Sequence, residues 1–260
     1  EDIPTIDVTT DNLFTDEVSE GTFVAKESGV LSGVKIMKRV FEIVDPEIYI
    51  KVINTDGMFV EKGDVIAIIS GKSRSILKGE RIALNLMQRM SGVATLTKKY
   101  VDQISNNHTK ILDTRKTTPN LRILEKQAVV HGGGINHRFS LSDQVMIKDN
   151  HIKAAGSITN AVSILKGKVD HNIRIEVEVE TFEQFLEAQN TECDIIMLDN
   201  MDNDLMKKCV DHNYKNKLLE ASGNMTIPRI KSVSDTGVDF ISVGAITHSY
   251  TSLDISLKFN

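Results

Sequence analysis

Cysteine is nearly absent from this chain. Cys193 and Cys209 match no zinc or redox spacing, so a disulfide scaffold and a thiolate metal cluster are excluded. Two isolated thiols fit a reducing, cytoplasmic setting. No apolar run approaches the roughly 18 residues of a membrane span. The longest, such as Val65 to Ile69, are strand-sized. The N-terminal EDIPTIDVTT has neither a basic nor an apolar signal region, so no signal peptide is expected there, although the chain opens on Glu1 rather than Met. Positive charge is also short. With 31 Lys and Arg against 36 Asp and Glu, a net charge of −5 and no basic tract, nucleic acid is not an expected partner. Internal repeats and low-complexity segments are absent. What remains is 260 residues, 40% hydrophobic and 26% charged, enough for two modest domains or one barrel.

Against this acidic background, Asp113 to His151 stands out. It gathers Arg115, Lys116, His137, Arg138, Lys148 and His151 around three consecutive glycines, with Asp113, Glu125, Asp143 and Asp149 as its only acids. A cationic focus in an acidic protein points to an anionic substrate.

The part of the chain up to about Gly71 reads as β-rich, with strands expected at Val40–Val44, Ile48–Ile53 and Val65–Ile69. From Ser75 to Ile104, Leu77, Leu84, Met87, Met90, Ala94 and Val101 recur at helical spacing. Gly92 inside that stretch implies close packing or a break. Beyond Lys110, short apolar strands alternate with amphipathic helices. The strands are expected near Ile111-Leu112, Val145–Ile147, Ile173–Val179, Asp194–Leu198, Leu218–Ala221 and Phe240–Val243. One helix is expected over Pro119–Val130, capped by Thr118 and ended by Gly132. Repeated strand–helix units imply parallel strands with right-handed crossovers. Six strands make a β/α barrel plausible but incomplete, and an open doubly wound sheet is the competing fold.

Polar residues sit at the C-terminal ends of these strands: Asp113, Lys148, Glu178, Asp199, Ser222 and Gly244. A β/α barrel builds its active site there. In IRIEVEVE, strand alternation puts Glu176, Glu178 and Glu180 on one face, and buried carboxylates need partners. The expectation is that Glu176 lies deep and pairs with Lys148, while Glu178 reaches the open site. Small residues in LEASGN and ISVGA let backbone amides approach a phosphate, at the strands where barrels usually bind one. Glu178 and Asp199 offer two carboxylates to a hard cation such as Mg²⁺, or to sugar hydroxyls and cationic side chains.

The pieces LNLMQRMSGVAT, TRKTTP, LEKQAVVHGGGINHR, MIKDNH, EVEVE, MLDN, EASGN and SVGAITHS closely resemble the quinolinate phosphoribosyltransferases and follow that family's order from Leu84 to Ser249. IDVTT near the start resembles the family's N-terminal motif. The resemblance implies a small N-terminal α/β sandwich with a long helix over residues 1–104, followed by an incomplete parallel β/α barrel over 105–250, with 251–260 returning to the first domain. It implies transfer of a phosphoribosyl group from 5-phosphoribosyl 1-pyrophosphate to quinolinate with decarboxylation, using Mg²⁺. By the same resemblance Lys148, Glu178 and Asp199 are catalytic, and Glu178 and Asp199 hold the metal, directly or through water. Arg115, His137, Arg138 and Lys148 contact quinolinate, and Thr114 and Lys116 lie beside them, Lys116 on the pyrophosphate side. Ser222, Gly223, Asn224, Val243, Gly244 and Ala245 form the phosphate-binding loops, with His248 nearby. Arg89 corresponds to an arginine donated across a homodimer interface. Asn120, Ser140 and Asn224 stand where glycines are frequent, which leaves the local loop shape open at those points.

Three other readings remain at this level, one of them a non-catalytic protein that binds 5-phosphoribosyl 1-pyrophosphate and releases no pyrophosphate. A phosphoribosyltransferase for a mono-acid such as nicotinate would need fewer cations. A Schiff-base barrel lyase would use Lys148 as nucleophile.

Overall fold

The structure, a computed structural model, describes residues 2–106 and 108–259. In chain order the elements begin with α1 (Thr10–Leu13), β1 (Val18–Ala25), β2 (Gly29–Val30), α2 (Val34–Val44), β3 (Tyr49–Val52), β4 (Phe59–Val60), β5 (Val65–Lys72) and α3 (Ser73–Val101). They continue with β6 (Lys110–Leu112), α4 (Arg122–His131), β7 (Val145–Ile147), α5 (Asp149–Ala155), α6 (Ile158–Lys166), β8 (Ile175–Val179), α7 (Phe182–Gln189) and β9 (Ile195–Asp199). The last are α8 (Asn203–Asp211), β10 (Leu218–Ser222), α9 (Ile227–Ser234), β11 (Phe240–Ser242), α10 (Ala245–His248) and β12 (Ile255–Phe259). They fall into two compact units. One takes the chain up to Lys98, Pro119–Gly133 and the segment from Ser249. The other takes Lys99–Thr118 and Gly134–His248.

In the first unit, β12, β1, β5 and β3 form an antiparallel sheet in that order. Phe23, Met37, Phe41, Ile69 and Met87 are buried together in its core. The strand expected at Val40–Val44 is the C-terminal part of helix α2. Val34, Met37 and Phe41 lie three and four residues apart and are buried, which is helical periodicity. The N-terminus of α2 is capped from a distance: Asp56 accepts the Val34 and Lys35 amides at 2.8 and 3.3 Å. The close packing expected at Gly92 is present, since a Cβ there would lie 2.3 Å from the Thr251 carbonyl oxygen.

Helix α4 starts at Arg122, later than expected, with Leu121 and not Thr118 at its N-cap and Pro119 ahead of its first turn. Asn120 has φ 65, so the chain turns there before it can wind into a helix. Gly132 does end the helix, and a Cβ on it would lie 2.4 Å from the Ala94 carbonyl oxygen.

In the second unit, six parallel strands run in the order β6-β11-β10-β9-β8-β7. Each of the six falls where an apolar run predicts it. β8 and β9 are buried along nearly their whole length, as strands covered on both faces must be. Their helices have local caps: Ser157 accepts the Asn160 amide at 3.0 Å and Asp202 the Leu205 amide at 2.8 Å. Thr181 and Gln184 form a capping box. β6 and β7 end the sheet without pairing with each other, so the barrel stays open between them. The fold is therefore the expected mixed α/β one, a small antiparallel sheet and an incomplete parallel β/α barrel.

Candidate active site

The C-terminal ends of the parallel strands surround a cavity of about 800 Å³. One wall is cationic. It carries Thr114, Arg115 and Lys116 from the segment after β6, His137 and Arg138 from the segment before β7, and Lys148 at the end of β7. The opposite wall is acidic, with Glu178 on β8, Asp199 on β9 and Glu220 on β10. Two loops close the cavity, Ser222–Asn224 after β10 and Gly244–His248 after β11.

Two of the expected site residues are not in this lining. Val243 is buried, and its amide donates to the Leu112 carbonyl at 2.9 Å, holding β11 beside β6. Arg89 belongs to the first unit. There its Nε and Nη2 donate to Oε1 of the fully buried Glu125 at 3.1 and 2.5 Å, and its guanidinium lies 5.1 Å from the centre of the Tyr250 ring.

The expected pairing of Glu176 with Lys148 is corrected by the strand register. β7 and β8 pair Met146 with Glu176 and Ile147 with Val177. Lys148 is one residue further on and therefore level with Glu178, with which it forms an ion pair. Glu176 is buried one pair of residues deeper. Its Oε2 accepts from Gln144 Nε2 at 2.7 Å and lies 3.1 Å from His137 Nε2.

His137 is held from three directions. Its amide donates to Asp113 at 2.8 Å, and its Nδ1 accepts the Arg138 amide at 2.6 Å. Its Nε2 faces Glu176 and also Glu220, whose Oε2 is 3.4 Å away. Burial opposes a charge on the ring, but the two carboxylates outweigh it and push the ring up to about 10. Glu176 is pushed up to about 7, first by burial and then by Glu220. The ring and the carboxylates thus compete for a proton. The Nδ1 contact decides between them, because a second ring proton would point at the Arg138 amide hydrogen. A neutral ring that accepts the Arg138 amide at Nδ1 would carry its single proton on Nε2. Among the described residues His137, Glu176 and Glu220 are also the one group of three side chains close enough to share a metal ion. A ring that keeps its proton on Nε2 and accepts at Nδ1 has no lone pair to offer a metal.

Arg138 donates from Nη1 to the Gln144 carbonyl at 3.2 Å. Burial and the neighbouring Arg115 both lower its pKa. Two guanidiniums crowded at one wall are relieved by an anion bound between them.

The first of these loops and the turn after β9 are shaped by unusual backbone conformations. Asn200 (φ 53), Gly223 (φ 92) and Asn224 (φ 51) are left-handed. A Cβ on Gly223 would lie 2.2 Å from Asn200 Oδ1. Arg229, on α9, ties these turns together by donating to the carbonyls of Gly223 and Met201 at 2.9 and 2.8 Å. At Gly244 a Cβ would lie 2.9 Å from Lys116 Cδ, so glycine lets that lysine pass. Ser140, in contrast, has no positive φ. It is fastened by Asp143, which accepts the Phe139 and Ser140 amides, both at 2.6 Å.

The sequence alone does not single out Glu220, Asn200 or Arg229. The alternation along LLEAS does put Glu220 on the inward face of its strand. Nothing local marks Arg229, which acts through backbone carbonyls of other segments, or Asn200, whose side chain meets those of Asp199 and Asn224. A second cavity, of about 650 Å³, adjoins the first and shares Arg115, Arg138, Met146 and Lys148 with it. It runs along the edge strand β7 past Leu141, Ile164 and Leu165. Both thiols are inert by burial, which pushes Cys209 up to about 12.

Comparison with known proteins gives a consistent result. The family description "Quinolinate phosphoribosyl transferase, N-terminal domain" matches residues 7–91, and the corresponding C-terminal domain matches residues 93–258. The "Probable nicotinate-nucleotide pyrophosphorylase [carboxylating]" of Bacillus subtilis (strain 168) is 44% identical over 257 residues, covering 99% of this chain and 89% of that protein. The chloroplastic enzyme of Arabidopsis thaliana, also named nicotinate-nucleotide pyrophosphorylase [carboxylating], is 43% identical over 259 residues, covering 93% of this chain and 74% of its own. The crystal structure of NadC from Streptococcus pyogenes superimposes with a TM-score of 0.96 at 39% identity, covering 98% of this chain and 91% of that one.

Proposed function

The chain belongs to the quinolinate phosphoribosyltransferase family, and from that premise we propose how its residues carry out the reaction. The protein is a pentosyltransferase of de novo NAD biosynthesis. It joins quinolinate to the phosphoribosyl group of 5-phosphoribosyl 1-pyrophosphate and releases pyrophosphate and CO₂, leaving nicotinate mononucleotide.

The observation that carries this reading is the division of a single cavity into a cationic wall, an acidic wall and two loops, the first of them built on left-handed backbone. Quinolinate brings two carboxylates. Arg115 and Arg138 suit them because a guanidinium fork meets a carboxylate with two parallel hydrogen bonds. Lys148 and His137 complete that wall. The phosphate oxygens of the second substrate meet the amides of Ser222 to Asn224 and of Gly244 and Ala245, with Lys116 and His248 on the pyrophosphate side.

Pyrophosphate leaves with the bonding electron pair, and positive charge grows on the ribose carbon. Glu178 and Asp199, at neighbouring strand ends, stabilise that charge and hold the ribose hydroxyls. Lys148 fixes Glu178 by their ion pair, and Asn200 Nδ2 donates to Asp199 at 2.7 Å. The pyridine nitrogen attacks the ribose carbon and becomes quaternary. The adjacent carboxylate then departs as CO₂, its electron pair stays on the ring carbon beside that nitrogen, and the carbon takes up a proton.

Glu178 and Asp199 also fit Mg²⁺. Both offer hard oxygen donors, and substrate phosphates would supply further ones. Bound there, the ion would neutralise charge on the departing pyrophosphate.

The complete site is proposed to need two copies of the chain. Arg89 is absent from the cavity lining, and Leu141 and Ile164 expose apolar surface beside the unpaired edge of β7. A homodimer would cover that surface and bring Arg89 to the quinolinate end. Mixing Arg89→Ala with Asp199→Asn should then restore activity that neither variant has alone. A cytoplasmic location belongs to the same proposal.

The deciding experiment supplies 5-phosphoribosyl 1-pyrophosphate, Mg²⁺ and either quinolinate or nicotinate. Stoichiometric CO₂, pyrophosphate and nicotinate mononucleotide from quinolinate alone is the expected result. Comparable turnover of nicotinate would overturn the dicarboxylate assignment, and removal of Mg²⁺ by a chelator should stop the reaction.

A further inference from the structure

Lys116 and Gly244 pass each other closely at the rim of the cavity. A Cβ on Gly244 would lie 2.9 Å from Lys116 Cδ and 3.3 Å from His248 Nε2, and all three residues line the cavity. Lys116 belongs to the segment that leaves β6, and Gly244 to the loop that leaves β11, the neighbour of β6 in the sheet. The stem of Lys116 therefore runs along the second phosphate loop.

Thr247 fastens this contact. It is buried, and no step of the reaction above uses it. Its Oγ1 donates to the Lys116 carbonyl at 2.8 Å, across 131 residues of chain. The Gly244 carbonyl lies 3.2 Å from the same hydroxyl but already accepts the Thr247 amide at 3.1 Å. A hydroxyl has one proton to donate, and the shorter contact, at the usual O–H···O separation, takes it. The Lys116 amide in turn donates to Thr114 Oγ1 at 3.1 Å. Both main-chain polar groups of Lys116 are thus held by threonine hydroxyls, one local and one from the loop after β11. The preceding side chain, Arg115, reaches into the second cavity, which Lys116 does not line. The point that Thr247 holds is where the cationic wall divides between the two substrates.

We propose that Thr247 is a positioning residue for 5-phosphoribosyl 1-pyrophosphate: its hydroxyl ties the Lys116 carbonyl to the loop after β11, so that the Lys116 side chain runs past Gly244 and meets the pyrophosphate group. Thr247 itself does not touch substrate, because its hydroxyl proton is committed to Lys116. The inference rests on the reading of Lys116 as a pyrophosphate-binding side chain, and inorganic pyrophosphate probes that contact without quinolinate.

The test uses the full chain. Thr247→Val keeps the shape and removes the hydroxyl. It should raise the KM for 5-phosphoribosyl 1-pyrophosphate about five- to tenfold, the usual factor for one hydrogen bond, with the quinolinate KM within about twofold. Thr247→Ser returns the hydroxyl and should bring that KM back to within about twofold of the unsubstituted protein. Action through Lys116 also makes the two residues non-additive: in a Lys116→Ala background, Thr247→Val should add less than about twofold. A tether that only stabilises the fold would repeat its full effect there. In calorimetry, Thr247→Val should bind inorganic pyrophosphate with Mg²⁺ more weakly by about the same five- to tenfold factor. An unchanged KM, an equal rise in both KM values, no recovery in Thr247→Ser, or a full effect in the Lys116→Ala background would each overturn the proposal. If Thr247→Val does not fold, the smaller Thr247→Ala takes its place in every measurement. Failure to turn over quinolinate at all would instead sink the functional reading, and calorimetry would still decide. Equal pyrophosphate binding with and without the hydroxyl, or none by the unsubstituted protein, would overturn the role of Thr247.

Discussion

Lys148 and Glu178 face each other at the C-terminal ends of the neighbouring strands β7 and β8 and form an ion pair at the mouth of the cavity. The Lys148 amino group is engaged by this carboxylate, so it serves as a binding group and not as a nucleophile. Borohydride reduction of the protein mixed with a sugar phosphate that carries a ketone should therefore leave the Lys148 peptide unmodified. Glu178→Gln keeps the shape and removes the negative charge. It should lower kcat by about 10²–10³, the usual loss when one preorganised electrostatic contact is removed. Full activity in Glu178→Gln would show that the ribose carbon gains nothing from this carboxylate.

Arg115 is shared by both cavities, and its charge lowers the pKa of the nearby Arg138. Loss of a bidentate contact to a carboxylate should cost about 1.5–3 kcal/mol, or at least tenfold in affinity. Arg115→Ala should therefore raise the KM for quinolinate by that factor and leave the KM for 5-phosphoribosyl 1-pyrophosphate within about threefold. Arg115→Lys should recover little, because an ammonium cannot form the two parallel bonds. A quinolinate KM unchanged in Arg115→Ala would remove Arg115 from the dicarboxylate wall.

How far the site is legible without coordinates depends on the range of each interaction. Strand alternation puts Glu176 and Glu178 on one inward face, because it is a property of adjacent residues, and the position of Glu178 nearer the C-terminal end of the strand puts it in the cavity. It does not identify the partner of Lys148, which follows from a register between strands nearly thirty residues apart in the chain. The same distinction explains α2. Its last residues, VFEIV, carry a β-branched apolar signal, and the Asp56 cap that supports the helix comes from a turn well downstream. Asn120 and Asn224 occupy left-handed backbone, in line with the tolerance of Asn for that conformation.

Arg229 shows what such reasoning leaves out, since its contacts are to backbone oxygens that no residue pattern marks. It holds the Met201 and Gly223 carbonyls, and so the relative position of the turns after β9 and β10. Hydrogen bonds from a charged donor contribute about 1.5–3 kcal/mol each. Arg229→Ala should raise the KM for 5-phosphoribosyl 1-pyrophosphate about tenfold or more, with the quinolinate KM within about threefold. Gly223→Ala should act in the same direction, because it combines a left-handed backbone with a Cβ 2.2 Å from Asn200 Oδ1. Equal changes in both KM values for Arg229→Ala would mean general loosening of the barrel and not a role in the phosphate loop.

Asp143 gives a prediction with a defined pH dependence. Burial pushes its carboxyl upward, but the Phe139 and Ser140 amides and the Ser140 hydroxyl outweigh burial and hold it below its usual 3.8. A group whose pKa is lower in the folded chain stabilises the fold fully above its unfolded value and loses that effect as pH falls through the folded one. The stabilisation should thus be constant from about pH 5 upward and vanish in strong acid. Asp143→Asn replaces one of the two accepting oxygens with a donor that faces an amide. Its melting temperature should lie about 2 °C or more below that of the unsubstituted protein at pH 7, the shift expected for roughly 1 kcal/mol in a chain of this size. The gap should narrow below pH 4 and close as Asp143 takes up its proton. A gap that stays constant from pH 7 to pH 3, or widens in acid, would mean that the charge on Asp143 does not hold the loop.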